Sequence, residues 1–485
     1  MDPLYSILRR PMSAHTTASV SSLEAVFVQQ RSAFSRHPYP TAVERRAQLD
    51  RLIQAILAHQ DEIAAALDRD FGGRCLAEVR YSEIFVSLQS LRHAKRHLKK
   101  WMKRRRAPVA LALQMAKAWV MPQPVGVVGI VVPWNYPLFM TMGPIAGALA
   151  AGNRVMLKLS EFAPTTSSVL ARLFAESFAP DLVTAVEGDA EVAKAFVRLP
   201  FDHLLFTGST TVGRQVMHAA ADNLTPVTLE LGGKSPVVLA PDADFSAAAG
   251  SIVYGKFLNA GQTCIAPDYA LVPANRLEEF VAILQAEIEK QYPRATENRD
   301  YTSIINEKQC ARLRRYLEEA QAAGTRVISI HGEASPAARR IPPTLVIDPP
   351  DQLRLMQEEI FGPILPVKPY QTLDQAVRYI NERPRPLALY LYTRSSQAKD
   401  QVLTQTVSGG VSINDTLLHI AVEDLPFGGV GTSGLGHYHG RAGFDTFSKL
   451  KPVFERRGFA SGAMLRPPYG RLHDRVMRFL IRWSR

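Results

Sequence analysis

Val125-Gly-Val-Val-Gly-Ile-Val-Val132 runs straight into Pro133-Trp-Asn-Tyr-Pro137. An apolar run with no polar alternation is what a strand buried on both faces of a parallel sheet requires. Downstream the texture repeats. An alanine- and glycine-rich helix is predicted over 141–151, a strand over 154–159, a helix over 165–176 and a strand over 183–187. His203-Leu-Leu-Phe-Thr-Gly-Ser-Thr-Thr-Val-Gly213 then passes from a strand into a helix over 212–221, and 227–231 is the next strand. Such alternation predicts a doubly wound, Rossmann-like α/β fold. Ligands in these sheets bind beyond the carboxyl ends of the strands. The tails 134–135, 158–161, 208–213 and 230–233 should therefore gather on one rim.

Upstream, 41–71 reads as an amphipathic helix with Leu49, Leu52, Ile53, Ile56 and Leu57 on one stripe, and 81–103 as a second. Residues 111–121 are extended and apolar, suited to an arm that packs on another subunit. Beyond Gly232-Gly233 a second α/β unit is predicted: strand 235–239, helix 245–259, strand 269–272 and helix 276–291. Residues 300–332 read as helix and turn, 343–347 as a strand, and 387–393 as extended. Pro426-Phe-Gly-Gly-Val-Gly-Thr-Ser-Gly-Leu-Gly436 is too glycine-rich for regular structure and should wrap a site.

The 485 residues are long for one core, so two or three domains are expected. The three cysteines argue against a disulfide scaffold and for a reducing, cytoplasmic setting. No spanning helix is expected, since no stretch of about 20 apolar residues occurs. The first 20 residues lack the apolar core of a secretory signal. The net charge of +12 is concentrated in 95–106 and in the last 15 residues, without interleaved aromatics, so no nucleic-acid partner is expected. In the tail, Arg471, Arg475, Arg478, Arg482 and Arg485 share one helical face beside Leu472, Val476, Phe479, Leu480 and Trp483. That pattern suits either peripheral contact with an anionic membrane or packing over a partner subunit or the substrate mouth.

Asn259-Ala-Gly-Gln-Thr-Cys264 holds the one cysteine set among small and polar neighbours. Thiolate is the reacting form, so Cys264 needs help from elsewhere in the chain. Glu230, at a strand end before two glycines, offers a carboxylate that can reach a water. Asn135 offers a neutral amide donor. The 208–213 turn lets a backbone approach a pyrophosphate with a helix N-terminus behind it. Glu359 and Phe361 pair an acid with an aromatic ring near a ribose.

Together these motifs resemble the aldehyde dehydrogenase superfamily over roughly residues 25–455. The matching stretches are 133–137, Lys158-Leu-Ser-Glu161, 206–213, Leu229-Glu-Leu-Gly-Gly-Lys-Ser-Pro236, 261–264, Glu358-Glu-Ile-Phe-Gly-Pro363 and 426–429. Asn414-Asp-Thr-Leu-Leu-His419, Gly436-His-Tyr-His-Gly440 and Phe444-Asp-Thr-Phe-Ser448 resemble the class 3 branch, and bacterial coniferyl aldehyde dehydrogenases in particular. One departure is Leu159, where the family carries proline, which should loosen that turn.

The resemblance implies that Cys264 attacks an aldehyde, that Asn135 and the Cys264 N–H stabilise the oxyanion, and that Glu230 is the general base. It places Trp134, Lys158, Glu161, Gly208, Ser209, Gly213, Leu231, Glu359 and Phe361 at a nicotinamide cofactor, NAD first with NADP open. No metal is implied. Tyr136, Phe139, Tyr269 and His419 are expected to line an aromatic-tolerant tunnel, for coniferyl-type or medium- to long-chain aliphatic aldehydes. A homodimer is implied. The expected division is a mobile arm at 1–20, a dinucleotide-binding domain at 21–110 and 125–231, and a catalytic domain at 232–430. Oligomerisation or bridging segments follow at 111–124 and 431–460, with a basic amphipathic tail at 461–485. Two competing readings are a CoA-acylating relative, against which Glu230 argues, and a non-catalytic binding protein, which should have lost the thiol or the base.

Overall fold

The computed structural model describes residues 20–109, 116–330, 339–456 and 466–483. Expectations placed on 1–19, 111–115 and Arg485 fall outside them. The described chain opens with a helix the sequence reading did not single out, Val20–Arg36, which buries Leu23 and Phe27. The next helix, Ala42–Phe71, starts at a capping box: Thr41 and Glu44 satisfy each other's backbone N–H, and Gly72 closes it at φ 66°. Such a cap is worth about 1 kcal/mol. Leu49, Leu52, Ile53 and Ile56 are buried as predicted, but Leu57 is 37% exposed and lies off the stripe. The second predicted helix is three segments in succession: Leu76–Val79, a π-helical stretch Arg80–Phe85, and Val86–Trp101.

β1 (Arg105–Ala107) pairs antiparallel with β2 (Ala116–Pro124). Five parallel strands follow: β3 (Val127–Val131), β4 (Arg154–Lys158), β5 (Val183–Val186), β6 (His203–Thr207) and β7 (Val227–Glu230). They lie in the order β7-β6-β3-β4-β5, so the winding reverses between β3 and β6. Their carboxyl ends share one rim, as expected. Leu159 tightens its turn instead of loosening it: its N–H, which proline would lack, bonds Val186 O at 3.0 Å.

The second sheet holds β8 (Pro236–Leu239), β9 (Tyr269–Pro273), β10 (Arg326–Ser329), β11 (Thr344–Ile347), β12 (Ile364–Tyr370), β13 (Ala388–Tyr392) and β14 (Gly410–Ile413). Its order is β10-β11-β12-β9-β8-β13-β14, parallel except for β10. The 300–332 stretch thus contains an edge strand where helix and turn were expected. The glycine-rich stretch after Pro426 also holds regular structure. β15 (Gly434–Leu435) returns to the first sheet and pairs with Glu230 and Leu229 of β7. A two-residue strand draws on backbone alone, so low side-chain content does not exclude it. β16 (Ser448–Arg456) lies along β2 over nine residue pairs.

Candidate active site

Cys264 sits where the two sheets meet. Its loop is reached through three consecutive left-handed residues, Asn259 (φ 52°), Ala260 (φ 51°) and Gly261 (φ 75°). For the two non-glycine residues this is strain of order ~1 kcal/mol or more each, kept only where surroundings over-determine it. Those surroundings are hydrogen bonds. Gln262 Nε2 donates to Asn259 O (2.9 Å) and Ser303 O (3.1 Å), and its Oε1 accepts from Ile305 N (2.9 Å). Asn135, beyond the end of β3, donates from Nδ2 to Gln262 O at 3.1 Å, which brings the predicted amide onto the Cys264 loop.

Burial, and the carboxylates of Glu359 and Glu230, push the Cys264 thiol up, so the resting side chain is SH. Its own N–H and that of Ile265 pull the other way. Glu230, at the last position of β7, is 2% exposed, and neither carboxylate oxygen has a hydrogen-bond partner among the described residues. Desolvation alone raises its carboxyl well above the usual range. Glu359 is also desolvated and sits at about 8, with Asp268 adding repulsion and the Gly233 N–H offsetting part of it. Its carboxylate lies against Gly232, where any Cβ would collide with it. Arg312 clasps the turn that carries Glu359, donating to Glu359 O (3.3 Å) and Ile360 O (2.8 Å). Phe361 follows at φ 47° and meets Trp134 edge-on at 5.3 Å between centroids. Cys264, Glu230, Asn135, Glu359, Phe361 and Trp134 are thus brought to one place.

The remaining candidates lie further along the rim. Lys158 is 1% exposed, and its Nζ donates to Leu159 O (2.7 Å) and Gly188 O (2.8 Å), with Glu161 Oε2 at 3.7 Å. Glu161 faces solvent. Ser209 caps the helix Thr210–Ala221, its hydroxyl accepting from Val212 N at 3.4 Å. Gly208 donates to Glu230 O at 3.0 Å, which ties that turn to β7. Gly213 is buried, and a Cβ there would come within 2.6 Å of Leu231 Cδ2. It seats the helix on β7 rather than exposing backbone to a phosphate. Leu231 in turn donates its N–H to Ser433 O at 3.1 Å. An exposed carboxylate on an anchored lysine, an exposed first helical turn and an acid beside an aromatic edge fit a dinucleotide along this rim.

A narrow cleft of about 80 Å³ ends at Cys264. Tyr81, Val86, Tyr136, Phe139, Met140, Tyr254, Ile265, Leu417, Leu418 and Ile420 are among its lining, and no charged side chain is. Tyr136 and Phe139 line it as predicted. Tyr269 and His419 do not. Tyr269 is 1% exposed in β9 and packs on Tyr379, while His419 bonds Ser412 at 2.9 Å and stacks on Phe427. Tyr269 turns into the core, and the half-buried His419 turns to Ser412 and Phe427. Tyr81, Tyr254 and 417–421 were missed because nothing local distinguishes them from an ordinary apolar helix face or loop. Arg74, Glu78 and Glu83, which sit behind Asn135, were missed too; in the sequence they read as helix-end charges.

The aldehyde dehydrogenase family pattern matches residues 8–453. A probable coniferyl aldehyde dehydrogenase of Pseudomonas aeruginosa is 51% identical over 452 residues, covering 93% of this chain and 94% of that one. A substrate-bound Staphylococcus aureus AldH superposes at a TM-score of 0.90 with 37% identity, covering 94% and 99%. A Mycobacterium tuberculosis aldehyde dehydrogenase complexed with NAD+ superposes at 0.81 with 29% identity, covering 92% of each chain. The chain belongs to the aldehyde dehydrogenase family, and it oxidises an aldehyde to the carboxylic acid with a nicotinamide cofactor.

Proposed function

We propose that Cys264 is the nucleophile, Asn135 and the Cys264 N–H the oxyanion donors, and Glu230 the general base. The thiol gives its proton to Glu230 as sulfur adds to the aldehyde carbon, forming a thiohemiacetal whose oxygen faces the two donors. Losing one such donor raises a barrier by ~2.7–4 kcal/mol. When bound, the cofactor supplies the acceptor for the hydride that this carbon gives up. Glu230 releases that proton to solvent and then draws one from water as the water oxygen adds to the thioester carbon; the C–S bond breaks, Glu230 returns the proton to the sulfur, and the acid leaves. Lys158 and Glu161 hold the adenine ribose, Ser209 and the neighbouring backbone the pyrophosphate, and Glu359 with Phe361 and Trp134 the nicotinamide ribose. Glu161 accepts a 2′-hydroxyl, so NAD is preferred over NADP.

The preferred substrate is an aromatic aldehyde of the coniferyl type. The observation that carries this is the uncharged, aromatic-edged cleft ending at Cys264. Burying a phenyl ring there is worth roughly 4 kcal/mol. Tyr81, 42% exposed, and Tyr254 line the cleft and supply the phenol groups for a ring hydroxyl or methoxy oxygen. A panel of coniferyl, cinnamyl, aliphatic and hydroxylated short aldehydes, read by cofactor reduction with NAD and with NADP, tests both preferences. The highest kcat/KM on the hydroxylated short aldehydes would overturn the substrate reading.

The first sheet forms the dinucleotide-binding domain and the second the catalytic domain, and β2 with β16 bridges two copies in a homodimer. β16 leaves one edge uncovered and exposes Leu450 and Phe454, which favours pairing. The helix Arg471–Trp483 has no buried residue and exposes Leu472, Phe479, Ile481 and Trp483 beside its arginine face. This favours a peripheral seat on anionic lipid. Removing residues 466–485 should abolish co-sedimentation with anionic vesicles, and unchanged partitioning would end that reading.

A further inference from the structure

Arg74 is 4% exposed and lies behind the Trp134–Asn135 turn. Its NH1 donates to the backbone carbonyl of Asn135 at 2.7 Å, and its guanidinium lies over the rings of Phe71 (4.4 Å) and Tyr136 (5.0 Å). A buried carboxylate, Glu83, and a half-buried one, Glu78, accompany it. Glu83 Oε1 is 3.7 Å from Arg74 NH2, and its other oxygen accepts from Phe139 N at 2.8 Å. Glu78 Oε2 accepts from Thr302 Oγ1 (2.9 Å) and from the N–H of Asn259 (3.1 Å), the first of the three left-handed residues. Asn259 Nδ2 closes the circuit, donating to both Asn135 O and Gln262 O at 3.2 Å.

Both carboxylates come from the segment that contains the π-helical turn. Residues five apart lie roughly 140° around a regular α-helix, and one wider turn changes that phase. Among the described residues Arg74 Nε and NH2 have no hydrogen-bond partner, so the Asn135 carbonyl, the nearby carboxylates and the two ring faces hold the cation, and the arrangement lasts only while they stay in register. Its two ends are the backbone of Asn135 and the backbone entering the Cys264 loop.

We propose that Arg74 is a positioning residue: with Glu78 and Glu83 it locks the Asn135 turn to the 259–264 loop, and so sets the gap between the Asn135 amide and the Cys264 sulfur in which the oxyanion forms. This deepens the proposed roles of Asn135 and Cys264 and rests on them. Arg74 touches neither substrate nor cofactor. Its effect belongs to the step that develops oxyanion charge and not to cofactor affinity or to thiol exposure.

The test is a double-mutant cycle read by the pre-steady-state burst of reduced cofactor, with NAD dissociation constant and Cys264 alkylation by iodoacetamide measured alongside. Arg74→Met and Asn135→Ala should each slow the burst by ~10²-fold, the size of one lost oxyanion donor. NAD affinity and alkylation should change by less than ~3-fold. The double variant should be no slower than Asn135→Ala alone, since both act through one amide. Arg74→Lys keeps the buried charge but not the guanidinium fork, and should lose an intermediate amount. It also serves if Arg74→Met does not fold. Losses that multiply in the double variant, or a normal burst in Arg74→Lys and Arg74→Met, overturn the proposal. A normal burst in Asn135→Ala would instead overturn the oxyanion reading on which it stands.

Discussion

The outer rim of the first sheet and the pocket around Cys264 use the same residue types in opposite states. On the rim, Lys158 is held by two carbonyls, Glu161 is exposed beside it, and Ser209 caps its own helix. In the pocket, the two buried oxygens of Glu230 have no hydrogen-bond partner among the described residues, and the Cys264 thiol is held up by burial and by the carboxylates of Glu359 and Glu230. Leaving a buried polar group unpaired costs about 1–3 kcal/mol, more if charged. The rim is satisfied before a ligand arrives, whereas the pocket holds groups whose partners come with the reaction. Binding is built from finished parts and chemistry from unfinished ones.

Replacing the nucleophile attacks the pocket most directly. Cys264→Ser should lower aldehyde oxidation by at least ~10³-fold with NAD affinity unchanged, seen as lost cofactor reduction beside a normal NAD titration. Residual oxidation within tenfold of wild type would break the contrast. Glu230→Gln should cut steady-state turnover by ~10²–10⁴-fold and slow the first-turnover burst as well, because the same carboxylate takes the thiol proton and later activates water. Because burial lifts the Glu230 carboxyl well above its usual range, the base form grows as pH rises. Wild-type deacylation should therefore climb as pH rises above the usual carboxylate range, and the glutamine variant should lose that limb.

Rim substitutions should act more weakly. Glu161→Gln should narrow the NAD-over-NADP preference by about tenfold, since it removes charge repulsion against a 2′-phosphate at an exposed position. Thermal stability supplies a smaller effect of opposite sign in the pocket. Glu230 has a folded pKa raised above its unfolded one, so the stability it contributes relative to glutamine is present at low pH and lost as pH rises through the folded value. Glu230→Gln should melt a few degrees higher than wild type near neutrality, with the gap closing toward acid. An unchanged gap across pH would mean the carboxylate finds a partner in solution. Ser209→Ala should cost about 1 kcal/mol of helix capping and only a few-fold in cofactor affinity.

What the sequence made legible follows from the same division. The parallel strands were readable because burial on both faces forces an apolar run, as in Val127–Val131, and the rim followed from their order. Glu230 and Asn135 stood out as polar residues at strand ends and Cys264 as a cysteine among small, polar neighbours, and the motif resemblance joined them; the structure brings the three together. The cleft walls were not: Tyr81 and Leu417 come from segments far apart whose residues pattern like any amphipathic surface, and neither Tyr269 nor His419 lines the cleft. Arg74 was hidden for a different reason. Whether a helix-end arginine is solvated or sealed under a turn depends on a π-helical phase shift that leaves no composition signal.

β15 joins the first sheet about two hundred residues after β7, and its Ser433–Gly434 segment grips the backbone at Glu230 and Leu231. During synthesis the ribosome releases the thiol and the carboxylate long before the peptide that clamps the latter. A nascent or truncated chain ending short of that segment should thus be inert toward aldehydes, which guards a half-made polypeptide from being acylated on its own cysteine.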